Sequence, residues 1–279
     1  MKKDLLRHSP YPVTLQCCCQ SADEVPEFAG LLNLLSDYGF YGIELNLPDL
    51  KALSPSDLKS LLEPRGLKLT YIATGAYAKA HDLSLSSPDP MVRRRSIEGC
   101  KENIRYAAEF GAGVIIGFLK NSDPSTDRNS AAEWLEESLS QIDQFAAAYQ
   151  VPLLLEATNR YESCVANSLD DTAQIKNQVN GSMISILPDT YHMNIEEARP
   201  FDALYRYQDS IRNIHLSDNN RFFPGLGCIA FESYLKELNT LHYQGTLGIE
   251  GILKYSMAKD LELSALYLSR ILTPQYMMI

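Results

Sequence analysis

Short apolar runs recur along the chain, and each is followed by a stretch with helical spacing. The runs are 13–18 VTLQCC, 41–46 YGIELN, 67–73 GLKLTYI, 113–118 GVIIGF, 151–156 VPLLLE, 183–189 MISILPD, 211–216 IRNIHL and 245–250 GTLGIE. They are mostly continuous rather than alternating, the pattern of parallel strands buried on both faces. The segments between them carry helix punctuation. Ser21 with Glu24 predicts a capping box, Ser54 with Pro55 opens a second helix, and Asp89 with Pro90 opens a long third one that Gly111 stops. Ser130 with Glu133 predicts another capping box, and Ser168 with Asp171 opens the fifth helix. Helix six is expected around 195–208 with Pro200 interrupting it, helix seven over 230–243 and helix eight over 257–273. Eight strands alternating with eight helices predict one (β/α)8 barrel, a single domain over residues 1–279. The rival fold, an open doubly wound sheet, places a glycine-rich turn after its first strand, whereas that turn here reads QCCCQSADE.

Composition narrows the class further. A length of 279 residues is usual for such a barrel, and 45% apolar residues suffice for its core. No stretch of 18 apolar residues free of charge occurs, so no membrane-spanning helix is predicted. The start, MKKDLLRHSPYP, is basic but has no apolar run behind it, and a cytoplasmic address is expected. The net charge of −10 opposes a general affinity for nucleic acid. None of the six cysteines forms a C-x-x-C pair, and the CCC triplet at 17–19 alternates faces within a strand. These thiols read as small buried residues in a reducing compartment.

In a barrel, chemistry collects at the carboxyl ends of the strands. Strand 5 ends in Glu156, strand 6 in Asp189 and strand 8 in Glu250, while strand 7 nears its end at His215. Four successive strands thus deliver a metal-ligand type to one rim, each after an apolar run in which an unpaired charge is costly. Three carboxylates with one imidazole favour a hard divalent ion: Mn²⁺, Mg²⁺ or Co²⁺, with catalytic Zn²⁺ or iron as alternatives. His192 lies one turn beyond Asp189, placed to meet a bound substrate. The loop after strand 5 adds Arg160 and Glu162; the loop after strand 7 adds Asp218, Asn219, Arg221 and the turn residues Pro224, Gly225 and Gly227. An arginine there can clamp hydroxyls or a carbonyl through its planar fork. Glu44 faces the same rim by strand parity. The loop 74–90 is long enough for a lid or pocket wall, with His81 and Tyr77 read as packing residues within it.

With these residues in place, the chain resembles the xylose-isomerase-like TIM barrels, within them the sugar phosphate isomerase/epimerase group, and most of all the ketose 3-epimerases of the tagatose and psicose type. The segments that carry the resemblance are DLSLSSPDPMVRRRSIEGCKENIRYAAEFGAGVIIG, LLLEATNRYES, PDTYHMNIEE and IHLSDNNRFFPGLGCIAF followed by GIEG. The resemblance implies that Glu156, Asp189, His215 and Glu250 hold the metal, with Mn²⁺ the expected ion. It implies that Glu162, His192 and Arg221 hold the sugar, and that Glu156 and Glu250 are also the acid/base pair. One glutamate would take a proton α to the carbonyl and the other would return one to the opposite face, through an enediolate. The resemblance also implies a dimer or tetramer, to which the apolar tail YMMI at 276–279 would contribute, or else pack on helix eight. The start VTLQCCCQ and Cys228 depart from the family pattern, which leaves the sugar open, and PGLG at 224–227 fits a barrel phosphate loop and the family's ordinary turn equally, which leaves phosphorylation open. On the same scaffold, the alternatives are an aldose–ketose or hydroxypyruvate isomerase, an inosose dehydratase, an endonuclease-IV-like phosphodiesterase and a non-catalytic sugar-binding barrel. The five histidines and the negative charge count against the nuclease, which needs a trinuclear zinc cluster.

Overall fold

The computed structural model describes residues 3–121 and 126–273. The chain runs β1 (Val13–Cys18), α1 (Val25–Tyr38), β2 (Gly42–Asn46), α2 (Pro55–Leu62), β3 (Lys68–Ala73), α3 (Gly75–Ala80), α4 (Pro90–Ala108), β4 (Gly113–Ile116) and α5 (Arg128–Tyr149). It continues β5 (Leu153–Glu156), α6 (Leu169–Val179), β6 (Ile184–Leu187), α7 (Thr190–Glu196), α8 (Pro200–Tyr207), β7 (Asn213–Leu216), α9 (Phe231–Thr240), β8 (Thr246–Ile249) and α10 (Met257–Ile271). The paired strands are parallel, in the order β6-β5-β4-β3-β2-β1-β8-β7. The two ends of this sheet meet through single bridges, Ile186 with Ile211 and Asp189 with His215. The sheet therefore curls into a nearly closed (β/α)8 barrel, as the alternation predicts.

Several strands are shorter than their apolar runs. The run 151–156 pairs only over Leu153–Glu156 and the run 183–189 only over Ile184–Leu187. Pro152 and Pro188 have no amide proton to add to a ladder, though their carbonyls accept from Val114 and His215. Outward-facing residues such as Leu15, Ile43, Val114, Leu155 and Ile186 pack under the helices in the main core. The barrel interior is divided. Tyr71, Ala73, Ile115, Leu154 and Leu187 form an apolar wall between β3 and β6. Across from it Thr14, Glu44, Asn213 and His215 are all fully buried and polar. Gly248 makes room for that polar wall, since a Cβ there would stand 2.3 Å from Glu44 Oε1.

The helix starts follow the sequence in three cases and depart from it in two. Ser54 and Asp89 accept amide hydrogen bonds from Asp57 and Met91, and Ser168 with Asp171 completes a reciprocal capping box. Ser21 makes no such bond; it precedes a 3₁₀ turn, and α1 begins at Val25 with proline in its first turn. Glu24 reaches back instead to the Gln20 amide at 2.8 Å. Asp127, rather than Ser130, caps α5, accepting from the Ser130 amide at 2.9 Å. A carboxylate offers the positive end of the helix a full charge, which outcompetes a hydroxyl three residues on. The sixth helical segment is two helices, because Pro200 starts α8 afresh and His192 lies on the separate α7. The segment 74–90 supplies α3 as a pocket wall; Tyr77 donates to Glu102 and packs on His81, so both are packing residues. Among the described residues, no helix is long and apolar enough to cross a membrane. The tail 276–279 lies outside the described residues.

Candidate active site

Glu156 closes β5, Asp189 follows β6 as the N-cap of α7, His215 lies in β7 and Glu250 follows β8. One ligand atom from each falls within 4.8 Å of the others, so the structure gathers the four strand-end residues into one cluster. Asp189 serves two ends: Oδ1 accepts from the Tyr191 amide at 2.8 Å, while Oδ2 faces the cluster. This accounts for the acid and imidazole just beyond the last apolar residues of 183–189.

The donor set fits a divalent ion. His215 Nε2 lies 2.8 Å from Glu44 Oε2, so in the neutral ring Nε2 carries the proton and Nδ1 the lone pair. Around Nδ1 stand Glu250 Oε2 at 2.7 Å, Glu156 Oε1 at 3.2 Å and Asp189 Oδ2 at 3.8 Å. Three carboxylates around one ring nitrogen favour a positive charge there, either a proton on Nδ1 or a divalent ion that takes its place. Glu250 Oε2 is also buried, with His215 Nδ1 at 2.7 Å as its near neighbour. Ligands about 2.1 Å from an ion stand about 4.2 Å apart across it, which matches the spread of these atoms. Burial alone would lower the basicity of His215, but Glu44, Glu250 and Glu156 outweigh it and raise its pKa well above the ordinary value. Burial would likewise raise the Glu250 carboxyl; Arg221 and His215 outweigh that and hold it well below the usual carboxylate range.

A cavity of about 660 Å³ opens over the cluster, lined on this side by Glu156, Glu162, His192, Arg221 and Glu250. The three residues expected to hold substrate therefore share one pocket with two of the expected ligands. The Asn159 backbone and side-chain amides meet His192 Nδ1 at 3.2 and 2.8 Å. Two donors make Nδ1 an acceptor, so the neutral ring keeps its proton on Nε2 as a hydrogen-bond donor. Asn159 also donates to Glu162 Oε1 at 3.1 Å, tying the two pocket residues together. Arg221 sits at φ 63°, reaching Asp189 at 2.5 Å and Glu250 at 3.0 Å with its guanidinium over the Tyr191 ring. Arg160 turns away and holds Glu196 in a two-pronged ion pair, so it does not clamp a ligand in this pocket.

Other features settle differently from one another. The turn at Pro224–Gly227 spends its amides on the chain itself: Gly225 and Gly227 donate to Asp218, and Cys228 donates to Asn219. That is the ordinary-turn alternative for this loop rather than a phosphate cradle. Cys17 and Cys19 are buried; Cys18 lines the cavity, and burial pushes its thiol up to about 11. Glu44 does not reach the rim. It lies beneath His215, where its other oxygen accepts from Thr14 and Asn213. Sequence reasoning missed Asn159 and Lys120. Asn159 reads as a turn residue, and only its place three residues after Glu156 could have marked it. Lys120 is fully buried behind the pocket.

The family model described as xylose isomerase-like TIM barrel matches residues 32–266. D-psicose 3-epimerase of Enterocloster bolteae is 26% identical over 238 residues, covering 80% of this chain and 76% of that protein. Ketose 3-epimerase of Arthrobacter globiformis is 28% identical over 228 residues, covering 80% and 77%. The 3-dehydro-D-guloside 4-epimerase of Escherichia coli is 27% identical over 229 residues, covering 78% and 84%. Among solved structures, 3-keto-D-glucoside 4-epimerase of E. coli superposes with a TM-score of 0.79 at 21% identity, covering 93% of this chain and 99% of that one. An L-ribulose 3-epimerase gives 0.79 at 20% identity, covering 92% and 95%, which speaks to the fold. The match over most of its length makes this chain a member of the xylose isomerase-like TIM barrel family.

Proposed function

We propose that the protein is a divalent-metal-dependent sugar epimerase of the ketose 3-epimerase type, with Mn²⁺ as its ion. The observation that carries this reading is the cluster of Glu156, Asp189, His215 and Glu250 beneath a cavity that two of those carboxylates line. The relatives named as ketose 3-epimerases supply the substrate class. Glu156, Asp189, His215 and Glu250 would hold the ion, which when bound would supply the Lewis acidity that makes a proton beside a ketose carbonyl removable.

The chain's own groups do the rest. Glu156 and Glu250 stand at the two ends of the arc of strands β5 to β8, so they face a bound sugar from different sides. One carboxylate takes the C3 proton and becomes a carboxylic acid. The other, having taken a proton from solvent, gives it to the opposite face of the same carbon and becomes a carboxylate again. The net change is inversion at C3 with no change in composition. Glu162 and His192 bind sugar hydroxyls, the first as an acceptor and the second through Nε2–H. Arg221 adds a fixed positive charge beside the reacting oxygens, since Asp189 and Glu250 outweigh its burial and raise its pKa further.

The test is hydrogen exchange from D₂O into D-psicose, D-tagatose and L-ribulose, followed by NMR with Mg²⁺ as a diamagnetic ion. Deuterium is expected at C3, dependent on added metal, and absent in Glu156→Gln and Glu250→Gln. Aldose products would replace epimerase by isomerase. Tight metal binding without exchange in any ketose would overturn the reading.

A further inference from the structure

Lys120 is among the largest side chains in the protein with no solvent exposure, and nothing in the mechanism above uses it. It ends the 3₁₀ turn Phe118–Lys120 that follows β4. Phe118 lines the cavity, while Lys120 points into the protein behind it. Burying an ammonium group costs several kcal/mol unless partners offset it. Burial accordingly lowers the Lys120 pKa to about 8, against the pull of Glu156 and Glu162. Among the described residues, the acceptor for Nζ is the Thr158 hydroxyl.

That bond sets the direction of the Thr158 hydroxyl. An ammonium has no lone pair, so Nζ donates and Thr158 Oγ1 accepts. The hydroxyl hydrogen is then left for a second acceptor, and no described residue takes it. Thr158 lines the cavity two residues beyond Glu156, beside Glu162 and His192. A hydroxyl that accepts from a cation is a stronger donor than an isolated one.

We propose that Lys120 and Thr158 act as one unit, in which the buried ammonium holds the Thr158 hydroxyl as a hydrogen-bond donor to a substrate oxygen beside Glu156. Thr158 is then a substrate-binding residue and Lys120 a positioning residue behind it. The inference rests on the sugar-epimerase reading above.

The experiment measures Mn²⁺-dependent interconversion of D-psicose and D-fructose by the wild type, Thr158→Ser, Thr158→Val, Lys120→Met and the double variant. Mn²⁺ affinity of each metal-free protein and its thermal midpoint are measured alongside. Thr158→Val is expected to raise KM about tenfold, with a smaller change in kcat and unchanged Mn²⁺ affinity. Thr158→Ser keeps the hydroxyl and is expected to stay within about twofold of the wild type. Lys120→Met should raise KM like Thr158→Val, and the double variant should be no worse than either single change. If Lys120→Met does not fold, the Val and Ser variants decide the matter. A wild-type KM in Thr158→Val overturns the pair. So does a loss of Mn²⁺ affinity that matches the loss of activity, since the pair would then be a prop for Glu156. A wild type inert toward D-psicose and D-fructose here, and toward D-tagatose and L-ribulose in the exchange test above, overturns the epimerase reading, and the sugar contact with it.

Discussion

At the scale of single residues, the centre depends on side chains that never touch the cavity. Glu44 accepts from His215 with one oxygen and from Thr14 and Asn213 with the other, all in the barrel interior. Glutamine in its place has one acceptor oxygen where the carboxylate uses two, and it lacks the charge. Glu44→Gln is therefore expected to weaken Mn²⁺ binding by about 10–100-fold, read by titrating the metal-free protein. Unchanged affinity would mean that packing alone orients the ring. Gly117 acts by size: a Cβ there would stand 2.2 Å from Glu156 Oε2. Gly117→Ala must swing that carboxylate aside, and kcat is expected to fall about 100-fold with little change in thermal midpoint. An alanine variant with full turnover would show that the cluster tolerates a displaced Glu156. These two positions also mark how far the sequence could be read. Glu156, Asp189 and Glu250 close apolar runs and His215 stands one residue before the end of its own, so position along a strand reveals them. Glu44, Asn159 and Lys120 draw their roles from partners elsewhere in the chain, and local pattern says nothing about those.

Among the elements, the eight strands were legible because burial on both faces leaves nearly uninterrupted apolar runs. Their ends were less so. Pro152 and Pro188 lie inside apolar runs yet withhold an amide from the ladder, so the runs overstate the strands. Helix caps follow the same lesson, because several acceptors compete within a few residues and only geometry selects one. Asp127 receives both the amide and the hydroxyl of Ser130. Asp127→Ala is thus expected to lower the thermal midpoint more than Ser130→Ala does; the reverse order would return the cap to Ser130. At α6 the reading and the structure agree, with a reciprocal box between Ser168 and Asp171. Ser168→Ala should cost about 1 kcal/mol in urea unfolding. The cap at Asp189 matters most for function, since it starts the separate α7 that carries His192 over the centre, while Pro200 starts α8 afresh.

On the scale of the whole molecule, the weakest join in the barrel coincides with its proposed metal centre. Seven strand pairs form ladders, but β6 and β7 pair only through the isolated bridges Ile186–Ile211 and Asp189–His215. The second bridge joins two of the four cluster residues, and the His215 amide donates across it to Pro188 at 2.9 Å. Three carboxylates crowd this seam and Arg221 pairs with two of them, so their charge is only partly offset without an ion and the metal-free barrel should open there first. An ion held at once by β5, β6, β7 and β8 fastens the seam. At a concentration 100 times its Kd, it should stabilise the fold by about 2.7 kcal/mol, a gain that chelation reverses. Hydrogen exchange separates the two effects. Amides that open only when the whole protein unfolds should all slow by the same factor on adding Mg²⁺. The amides of His215, Tyr191 and His192, which exchange by opening of the seam or of the Asp189 cap, should slow by more than that factor. Equal slowing throughout would mean that the seam is no weaker than the ladders, and that the ion holds a barrel already closed without it.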